Sequence, residues 1–235
     1  MRELSLFTGA GGGLLGTHLL GWEPCGYVEW NSYCQQVIAA RINDGFLPVA
    51  PIFTDVREFV QSGAARQYRG IADVVSAGFP CQPYSATGKQ QGHKSPKDMW
   101  PATRAVIREV MPKVAWLENV PRLISLGYLS VVLKDLAALG FDAKWGVLSA
   151  ASAGAEHVRE RLWICANANG SQPQRGELPS GAYQEHSNVG SGRGWQAKSS
   201  MDRVAYGMAN QLDRLEAIGN GQVPIVVKNA WELLA

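Results

Sequence analysis

The sequence predicts an α/β fold, a doubly wound and mostly parallel sheet with helices on both faces. Short apolar runs alternate with helix-like stretches over the first two-thirds of the chain, and a glycine-rich turn joins the first such pair. Acidic or reactive side chains follow several of the apolar runs. Strands that alternate with helices form parallel sheets covered on both faces. A chain of 235 residues has room for one domain of this kind.

The predicted elements follow one another along the chain. Apolar runs predict strands at Glu3–Phe7, Gly26–Glu29, Val49–Phe53, Ile71–Ala77, Val114–Leu117, Trp145–Ser149 and Leu162–Ala166. Helical spacing predicts helices at Leu14–Leu20, Tyr33–Arg41, Trp100–Val110, Leu129–Leu139 and Val223–Leu234, and an apolar pattern also returns at Leu212–Ile218. After the last predicted strand and before the C-terminal patterns, Gly170–Ser200 is rich in Gly, Ser, Gln and Pro. This composition indicates either a loop-rich insertion or a partly disordered segment.

Composition excludes some classes and leaves others open. The chain is 46% hydrophobic and 18% charged, as in an ordinary globular protein, and its formal charge of +2 argues neither for nor against nucleic acid. No apolar run approaches the roughly 18 residues that cross a bilayer, and no signal-peptide pattern is present, so a cytoplasmic location is expected. The scatter of Cys25, Cys34, Cys81 and Cys165 fits no zinc or disulfide spacing, so no metal site is predicted.

A glycine-rich turn, Phe7-Thr8-Gly9-Ala10-Gly11-Gly12, follows the first predicted strand and opens the first helix. Glycines allow a tight turn and let a ligand approach the backbone, and a helix N-terminus offers unpaired N–H groups. In a doubly wound sheet such a turn is typical of a nucleotide-type site. The spacing differs from the dinucleotide motif G-x-G-x-x-G, so a nicotinamide cofactor is the less favoured interpretation.

Two carboxylates follow the next strands. Glu29 ends the second predicted strand, where an acidic side chain can accept hydrogen bonds from ribose hydroxyls. Asp55 comes after the third strand and could accept a hydrogen bond from an adenine amino group. Each one alone is also typical of a solvated turn, but their placement at the ends of successive strands favours ligand binding.

Cys81 lies between two prolines in Gly78-Phe79-Pro80-Cys81-Gln82-Pro83, after the fourth predicted strand. A thiol held rigidly at this edge of a sheet is a candidate nucleophile, although a buried and inert cysteine fits the local pattern equally well. Glu118 leaves the next strand at the same edge and could protonate or hydrogen-bond a substrate. Arg159 and Arg161 are two residues apart, so both can face one site; a solvated charge cluster is the alternative.

These pieces occur in the order and spacing of the DNA cytosine-5 methyltransferase family, which the chain strongly resembles. The matching motifs are Phe7-Thr8-Gly9-Ala10-Gly11-Gly12, Gly78-Phe79-Pro80-Cys81-Gln82-Pro83, Glu118-Asn119-Val120, Arg159-Glu160-Arg161 and Gly219-Asn220-Gly221-Gln222-Val223-Pro224. The tail, Leu215–Trp231, is most similar to small phage and prophage members. The resemblance implies the Rossmann-like fold of methyltransferases that depend on S-adenosylmethionine, and methyl transfer to C5 of cytosine in DNA.

The resemblance also implies which residues bind the cofactor. Those that would enclose S-adenosyl-L-methionine are Phe7, Thr8, Gly9, Ala10, Gly11, Gly12, Glu29, Trp30, Asp55, Val56, Gly78, Pro80, Met99 and Asn220. Among them Trp30 would pack against the adenosine, Glu29 would bind the ribose and Asp55 the adenine amino group. Ser5 stands where many members of the family have an acidic residue in the first strand.

The implied catalytic residues are Cys81, Glu118, Arg159 and Arg161. The thiolate of Cys81 would attack C6 of cytosine, which makes C5 nucleophilic, and Glu118 would hold the N3 edge and supply a proton. Arg161, with Arg159, would anchor the base carbonyl or the developing charge. This chemistry cannot reach a base inside a stacked duplex, so the resemblance implies a cytosine that is flipped out.

The predicted organisation has three parts. Residues 1–166 form the catalytic and cofactor-binding domain, residues 167–206 a reduced target-recognition segment, and residues 207–235 return to the catalytic domain. The recognition segment has too few apolar residues for a core of its own, and a short or relaxed site on double-stranded DNA is expected. The candidate DNA contacts are Arg175, Arg193, Trp195, Lys198 and Arg203.

Other functions remain open at this stage. A branch of the family methylates tRNA with the same residues, so the catalytic motifs do not separate the two substrates. A catalytically silent DNA-binding or cofactor-binding module is a second alternative, although Cys81, Glu118 and the glycine turn are all present. A methyltransferase acting on an exocyclic nitrogen would carry a different proline motif. We expect a bacterial or phage-encoded cytoplasmic protein, with no obligate protein partner evident.

Overall fold

The computed structural model describes residues 1–80, 98–169, 213, 217, 219 and 221–235. Within them a seven-stranded sheet has the strand order β3-β2-β1-β4-β5-β7-β6. The strands are β1 (Arg2–Leu6), β2 (Glu23–Val28), β3 (Ile52–Phe53), β4 (Val74–Gly78), β5 (Val114–Asn119), β6 (Phe141–Ser149) and β7 (Glu160–Ala168). Strands β1 to β5 pair in parallel, and β7 runs antiparallel to both of its neighbours. The predicted mostly parallel α/β sheet is therefore confirmed.

Helices cover both faces of the sheet. The α-helices of the described residues are α1 (Gly12–His18), α2 (Ser32–Asn43), α3 (Val56–Gln61), α4 (Trp100–Val110), α5 (Arg122–Ser125), α6 (Tyr128–Ala138) and α7 (Pro224–Leu234). Two short 3-10 helices lie at Ala65–Tyr68 and Ala151–Ala153. None of the helices in the described part of the chain is long and apolar enough to span a bilayer.

The strand order reverses at β1, which has β2 on one side and β4 on the other. In an open α/β sheet, the carboxyl ends of the strands at such a switch point form the crevice in which ligands bind. The first helical turn after β1 and the chain leaving β4 both lie at this edge.

The sheet is buried on both faces because neighbouring residues of its central strands point to opposite sides. In β4, Val75 packs into the main core with α3, α4 and α6, whereas Val74 packs into a second core beneath α7. The same alternation in β5 and β7 places Trp116 and Trp163 in the second core, with their rings stacked at 5.1 Å. A central strand that is apolar on both faces fits a sheet covered on both sides.

The predicted elements differ from the observed ones mainly at their ends. Helix α4 has the predicted bounds, but β3 is reduced to Ile52–Phe53, since Pro51 has no N–H to extend the ladder. Strand β4 begins at Val74 and not at Ile71, because the N–H groups of Ile71 and Ala72 donate to the carbonyl of Tyr68 in a turn.

Candidate active site

The glycine turn after β1 adopts a backbone that few side chains tolerate. Gly9 and Gly11 have φ of 58° and 92°, in the left-handed region that favours glycine. Phe7, which is not a glycine, also has a positive φ of 52°. Such strain in a non-glycine residue is typical of ligand-binding and catalytic segments, where the surrounding structure holds it. The glycines therefore allow the tight turn that the sequence predicted after the first strand.

Glu29 is hydrogen-bonded directly to this turn. Its Oε2 accepts a hydrogen bond from the N–H of Gly9 at 2.6 Å, and its Oε1 accepts one from the N–H of Asn31 at 2.7 Å. The side chain of Trp30 beside it is 72% exposed. A carboxylate has about four acceptor positions, so two remain on Glu29 for a ligand.

Asp55 begins α3 as its N-cap, a role that the sequence analysis did not assign. Its Oδ1 accepts a hydrogen bond from the N–H of Arg57 at 2.7 Å, and its Oδ2 pairs with the Arg57 guanidinium at 2.8 Å. The hydrogen bond from the side chain of Arg57 is the largest influence that lowers the pKa of Asp55 below its usual value. Val56 is buried in the main core, and Met99 packs against that core.

The chain that leads from β4 toward position 81 is held in place on two sides. Asn119 is buried and donates from Nδ2 to the carbonyl oxygen of Phe79 at 2.9 Å. The ring of Phe79 packs against Trp100 with centroids 5.5 Å apart. Pro80 follows and is exposed. Cys81 itself, and likewise Asn220, lie outside the described residues.

Glu118 lies near the end of β5, opposite Gly78 of β4, and both of its carboxylate oxygens are engaged. Oε1 forms an ion pair with Nε of Arg161 at 2.8 Å, and Oε2 accepts a hydrogen bond from Nε2 of Gln222 at 3.2 Å. The Glu118 side chain is 12% exposed. Burial raises its pKa above the usual value, although Arg161, Gln222 and Arg159 oppose the rise.

Arg159 precedes β7 and reaches the C-terminal segment. Its Nη2 donates to the carbonyl oxygen of Gly221 at 2.8 Å. Its Nε is buried and has no hydrogen-bond partner among the described residues. Burial and the neighbouring Arg161 lower its pKa, and Glu118 opposes this effect. Both arginines thus act on Glu118 electrostatically, which agrees with the prediction that they face one site.

A pocket opens at this edge of the sheet and combines residues from both predicted sets. The predicted site residues that line it are Phe7, Thr8, Gly9, Gly12, Gly78 and Glu118. The glycine turn and the Glu118 carboxyl therefore face one space. The other predicted residues that the structure describes do not line this pocket.

Sequence reasoning missed several polar residues of the pocket. Glu3 is 1% exposed and accepts hydrogen bonds from the hydroxyls of Thr17, at 2.6 Å, and of Ser76. Burial raises the pKa of Glu3 to about 7. Gln222 belongs to the motif Gly219–Pro224, but no role was predicted for it. A glutamate inside the apolar run of the first strand was the signal that could have identified Glu3.

Two other thiols are poor candidates for a nucleophile. Burial raises the pKa of Cys25 to about 11 and that of Cys165 to about 12, so neither forms a thiolate readily near neutral pH.

Comparison with known proteins identifies the class and then the family. Among solved structures, the fold is similar to the methyltransferase EhMeth of Entamoeba histolytica, with a TM-score of 0.59 and 15% identity over 79% of this chain and 57% of that one. It is also similar to a Spodoptera frugiperda DNMT2 variant, with a TM-score of 0.57 and 17% identity over 72% of this chain and 50% of that one. The chain has the Rossmann-like α/β fold of methyltransferases. The family model of C-5 cytosine-specific DNA methylases matches residues 1–221, and the chain belongs to this family.

Three curated relatives carry the name Type II methyltransferase. M.CviJI of Paramecium bursaria Chlorella virus IL3A is 32% identical over 70% of this chain, M.NgoMIV of Neisseria gonorrhoeae 33% over 71%, and M.HhaI of Haemophilus parahaemolyticus 31% over 76%. The matches cover 42%, 52% and 53% of those proteins. The chain therefore spans about half the length of the curated relatives that it matches.

Proposed function

We propose that this chain transfers a methyl group from S-adenosyl-L-methionine to C5 of cytosine in double-stranded DNA, with Cys81 as the nucleophile. One observation carries the proposal. The carboxyl of Glu118, paired with Arg161, shares a pocket with the glycine turn after β1. The segment that leads to Cys81 leaves β4, the strand beside β5, and Asn119 fixes its start.

The residues present fit the cofactor. The turn after β1 has left-handed glycines, and a Cβ at Gly9 would meet nothing within 4 Å, so the backbone there is open to a ligand. Glu29 is tied to that turn and keeps acceptor positions for ribose hydroxyls. The exposed Trp30 offers an aromatic face for an adenosine. Asp55 and Val56, at the start of α3, are proposed to bind the adenine, and Met99 and Asn220 to complete the site. Bound S-adenosylmethionine would supply an electrophilic methyl group on its sulfonium.

The chain's own groups would make C5 of cytosine nucleophilic. In the proposed step the Cys81 thiolate forms a bond to C6, and the electron pair moves toward C5 and the N3 edge of the ring. C5 would take the methyl group as the methyl–sulfur bond of the cofactor breaks, with a neutral thioether as the leaving group. Solvent water would then accept the C5 proton, and the electron pair of that C–H bond would restore the C5–C6 double bond as the thiolate leaves. Nucleophilic catalysis of this kind splits one difficult step into easier ones. The cytosine must leave the stack for these groups to reach it.

Glu118 suits the role of the acid at the N3 edge. Burial raises its pKa, so a proton stays on it closer to neutral pH than on an exposed glutamate. Arg161 forms an ion pair with Oε1, so the proton would lie on Oε2, whose partner is the neutral amide of Gln222. Arg161, together with Arg159, whose buried Nε has no hydrogen-bond partner among the described residues, is proposed to donate to the base carbonyl.

The nucleic-acid substrate and the cellular location of the enzyme are inferred from its relatives. Family membership and the relatives named Type II methyltransferases support DNA over tRNA. Those relatives come from bacteria and a virus, which supports a bacterial or phage-encoded cytoplasmic enzyme.

Covalent trapping tests the proposal. The protein is incubated with S-adenosylmethionine and duplex DNA containing 5-fluorocytosine. The C5 fluorine of this analogue cannot be removed as the C5 hydrogen of cytosine is, so the covalent adduct persists. We expect an adduct that survives denaturing electrophoresis. Cys81→Ser should form none and should lose methyl transfer to ordinary duplex DNA by on the order of a thousandfold or more. Cys25→Ser is the control, because that thiol has a raised pKa.

A parallel assay with labelled cofactor and total tRNA separates the two substrates. Methyl transfer to tRNA and not to DNA would show that tRNA is the substrate. A folded protein that binds the cofactor and labels neither nucleic acid would support the silent module.

A further inference from the structure

Gln222 lines the candidate site although it has no role in the proposed reaction. It follows Gly221, whose carbonyl oxygen accepts the hydrogen bond from Arg159, and it precedes α7. Its side chain lines the same pocket as Glu118 and the glycine turn. The amide nitrogen donates to Oε2 of Glu118 at 3.2 Å, on the opposite carboxylate oxygen from Arg161.

The two ends of the Gln222 amide face different parts of the site. A methyl group added at Gly13 would lie 2.6 Å from Oε1 of Gln222, so the carbonyl end of the amide is against the first turn of α1. A methyl group added at Gly78 would lie 2.8 Å from Nε2 of Gln222 and 2.9 Å from Oε2 of Glu118. The amide therefore spans the space between the glycine turn and the carboxyl.

The glycines around Gln222 leave room for both its backbone and its side-chain amide. A methyl group at Gly12 would lie 2.6 Å from the backbone oxygen of Gln222. Real Cβ atoms essentially never approach other atoms within 3.0 Å. Gly12, Gly13 and Gly78 therefore leave the space that Gln222 fills, in addition to any space that they leave for a ligand.

We propose that Gln222 is a positioning residue for Glu118: its amide holds Oε2 while Arg161 holds Oε1, and so fixes the carboxyl next to the glycine turn. The proposal rests on the function proposed above, in which Glu118 is the acid. Two different donors on the two oxygens leave the carboxyl little freedom to rotate. A neutral donor on Oε2 can be exchanged for a substrate atom without separating the ion pair on Oε1.

The electrostatics of the pocket give this contact a measurable signature. The charged and titratable groups that act on Glu118 are Arg161 and Arg159, and burial opposes its ionisation. A hydrogen bond donated by Gln222 stabilises the ionised carboxylate and lowers the pKa of Glu118. Removing the donor must therefore raise that pKa further, so activity that depends on protonated Glu118 must persist to higher pH.

Carbon-13 NMR of glutamate carboxyls tests the proposal directly on the full chain. The Glu118 signal is assigned by its loss in Glu118→Gln, and its titration is then compared in the parent, Gln222→Leu and Gln222→Glu. We expect both Gln222 variants to raise the pKa of Glu118 by about one unit. The rise comes from loss of a donor in the first variant and from a like charge in the second. Gln67→Leu, an exposed glutamine in the first 3-10 helix, is the matched control.

Kinetics provide the second readout. Gln222→Leu should lower kcat for methyl transfer about tenfold or more while leaving cofactor affinity within about threefold, and should move the alkaline limb of the pH profile upward. The glutamate in Gln222→Glu has the shape of the parent side chain. If the leucine variant does not fold, the pKa of Glu118 in Gln222→Glu therefore tests the positioning role.

Two failures are distinguishable. A Glu118 titration that is unchanged in folded Gln222 variants overturns the positioning role, whether or not the parent is active. A parent that methylates no DNA overturns the proposed function, and the NMR titration still decides whether Gln222 controls Glu118.

Discussion

At the scale of single residues, burial sets the protonation of two carboxyls that line one pocket. Glu3 and Glu118 both have raised pKa values, but their partners differ. Glu3 accepts hydrogen bonds from the neutral hydroxyls of Thr17 and Ser76, whereas Glu118 is paired with the cation of Arg161. Glu3 is therefore held by hydroxyl donors and not by an ion-paired side chain, and it joins β1 to α1 and β4.

Glu3 gives the stability of the fold a specific pH dependence. Its pKa is about 7 in the folded chain and near 4.5 ordinarily, so the folded state binds the proton more tightly. The stabilisation is full below about pH 4.5 and is lost as the pH rises to about 7, a change of about 3 kcal/mol. Urea unfolding of Glu3→Gln between pH 5 and 8 should lack this decline, because the amide keeps polar contacts and does not ionise. Glu23→Gln removes an exposed carboxyl on β2 as the control, and an equal decline in Glu3→Gln and the parent would contradict the assignment.

The sequence identified side chains by chemical type more readily than by their partners. Glu118, Arg159 and Arg161 were predicted to face one site, and the structure brings them together. Gln222 was not predicted, because its contact with Glu118 joins residues 104 positions apart in the chain and follows no local pattern. Asp55 was interpreted as a ligand residue or a solvated turn carboxylate. Its role as a helix N-cap was not predicted, because the short helix α3 was not predicted.

At the scale of elements, α1 and α7 pack closely because one side of α1 has almost no side chains. A methyl group at Gly16 would lie 2.5 Å from Cβ of Val227 and 2.7 Å from the carbonyl oxygen of Pro224. Gly12 and Gly13, on the preceding turn, face Gln222 in the same way. The close approach of α7 thus places Gly221 and Gln222 over the pocket.

Gly16→Ala tests this packing, because alanine has a higher helix propensity than glycine but its methyl group would overlap α7. Alanine in place of glycine would favour an isolated helix by about 1 kcal/mol. Here we expect a net destabilisation of about 1–3 kcal/mol, because the added methyl group overlaps Val227 and the backbone of α7. Leu15→Ala changes an exposed neighbour on the same helix and should alter stability by less than about 0.5 kcal/mol. A Gly16→Ala variant as stable as the parent in urea would show that α7 does not pack on this face.

Element prediction worked where local pattern decides the structure. Helix α4 was predicted with the observed bounds because its apolar positions recur at helical spacing and all five buried positions share one side. Strand order was beyond such reasoning, since β7 lies between β5 and β6 although it follows both in sequence. Helix α3 was missed because six residues offer too few repeats to establish a helical period.

At the scale of the whole molecule, distant parts of the chain complete one site. Residues from β1, β4 and β5 supply the glycine turn, Gly78 and Glu118, and the segment before α7 supplies Gly221 and Gln222. Helix α7 is anchored by Trp231, which packs edge-on against Trp22 and Trp116 at 4.7 and 5.4 Å. The predicted recognition segment, residues 167–206, starts within the last two residues of β7 and separates that strand from this closing element in the sequence.

The length of that insertion leads to a prediction about target choice. Direct readout of bases requires side chains positioned against base edges, and each good bidentate contact contributes about 1–3 kcal/mol of discrimination. About 40 residues with few apolar side chains cannot build a separate core that fixes many such contacts. We therefore expect methylation at a short or relaxed site, with positioning dominated by phosphate contacts from Arg175, Arg193, Lys198 and Arg203, which lie outside the described residues. Bisulfite sequencing of DNA from cells that express the parent measures the target, with cells that express Cys81→Ser as the background. Methylation confined to one long motif would contradict the expectation, because so short a segment would then have to read many base pairs.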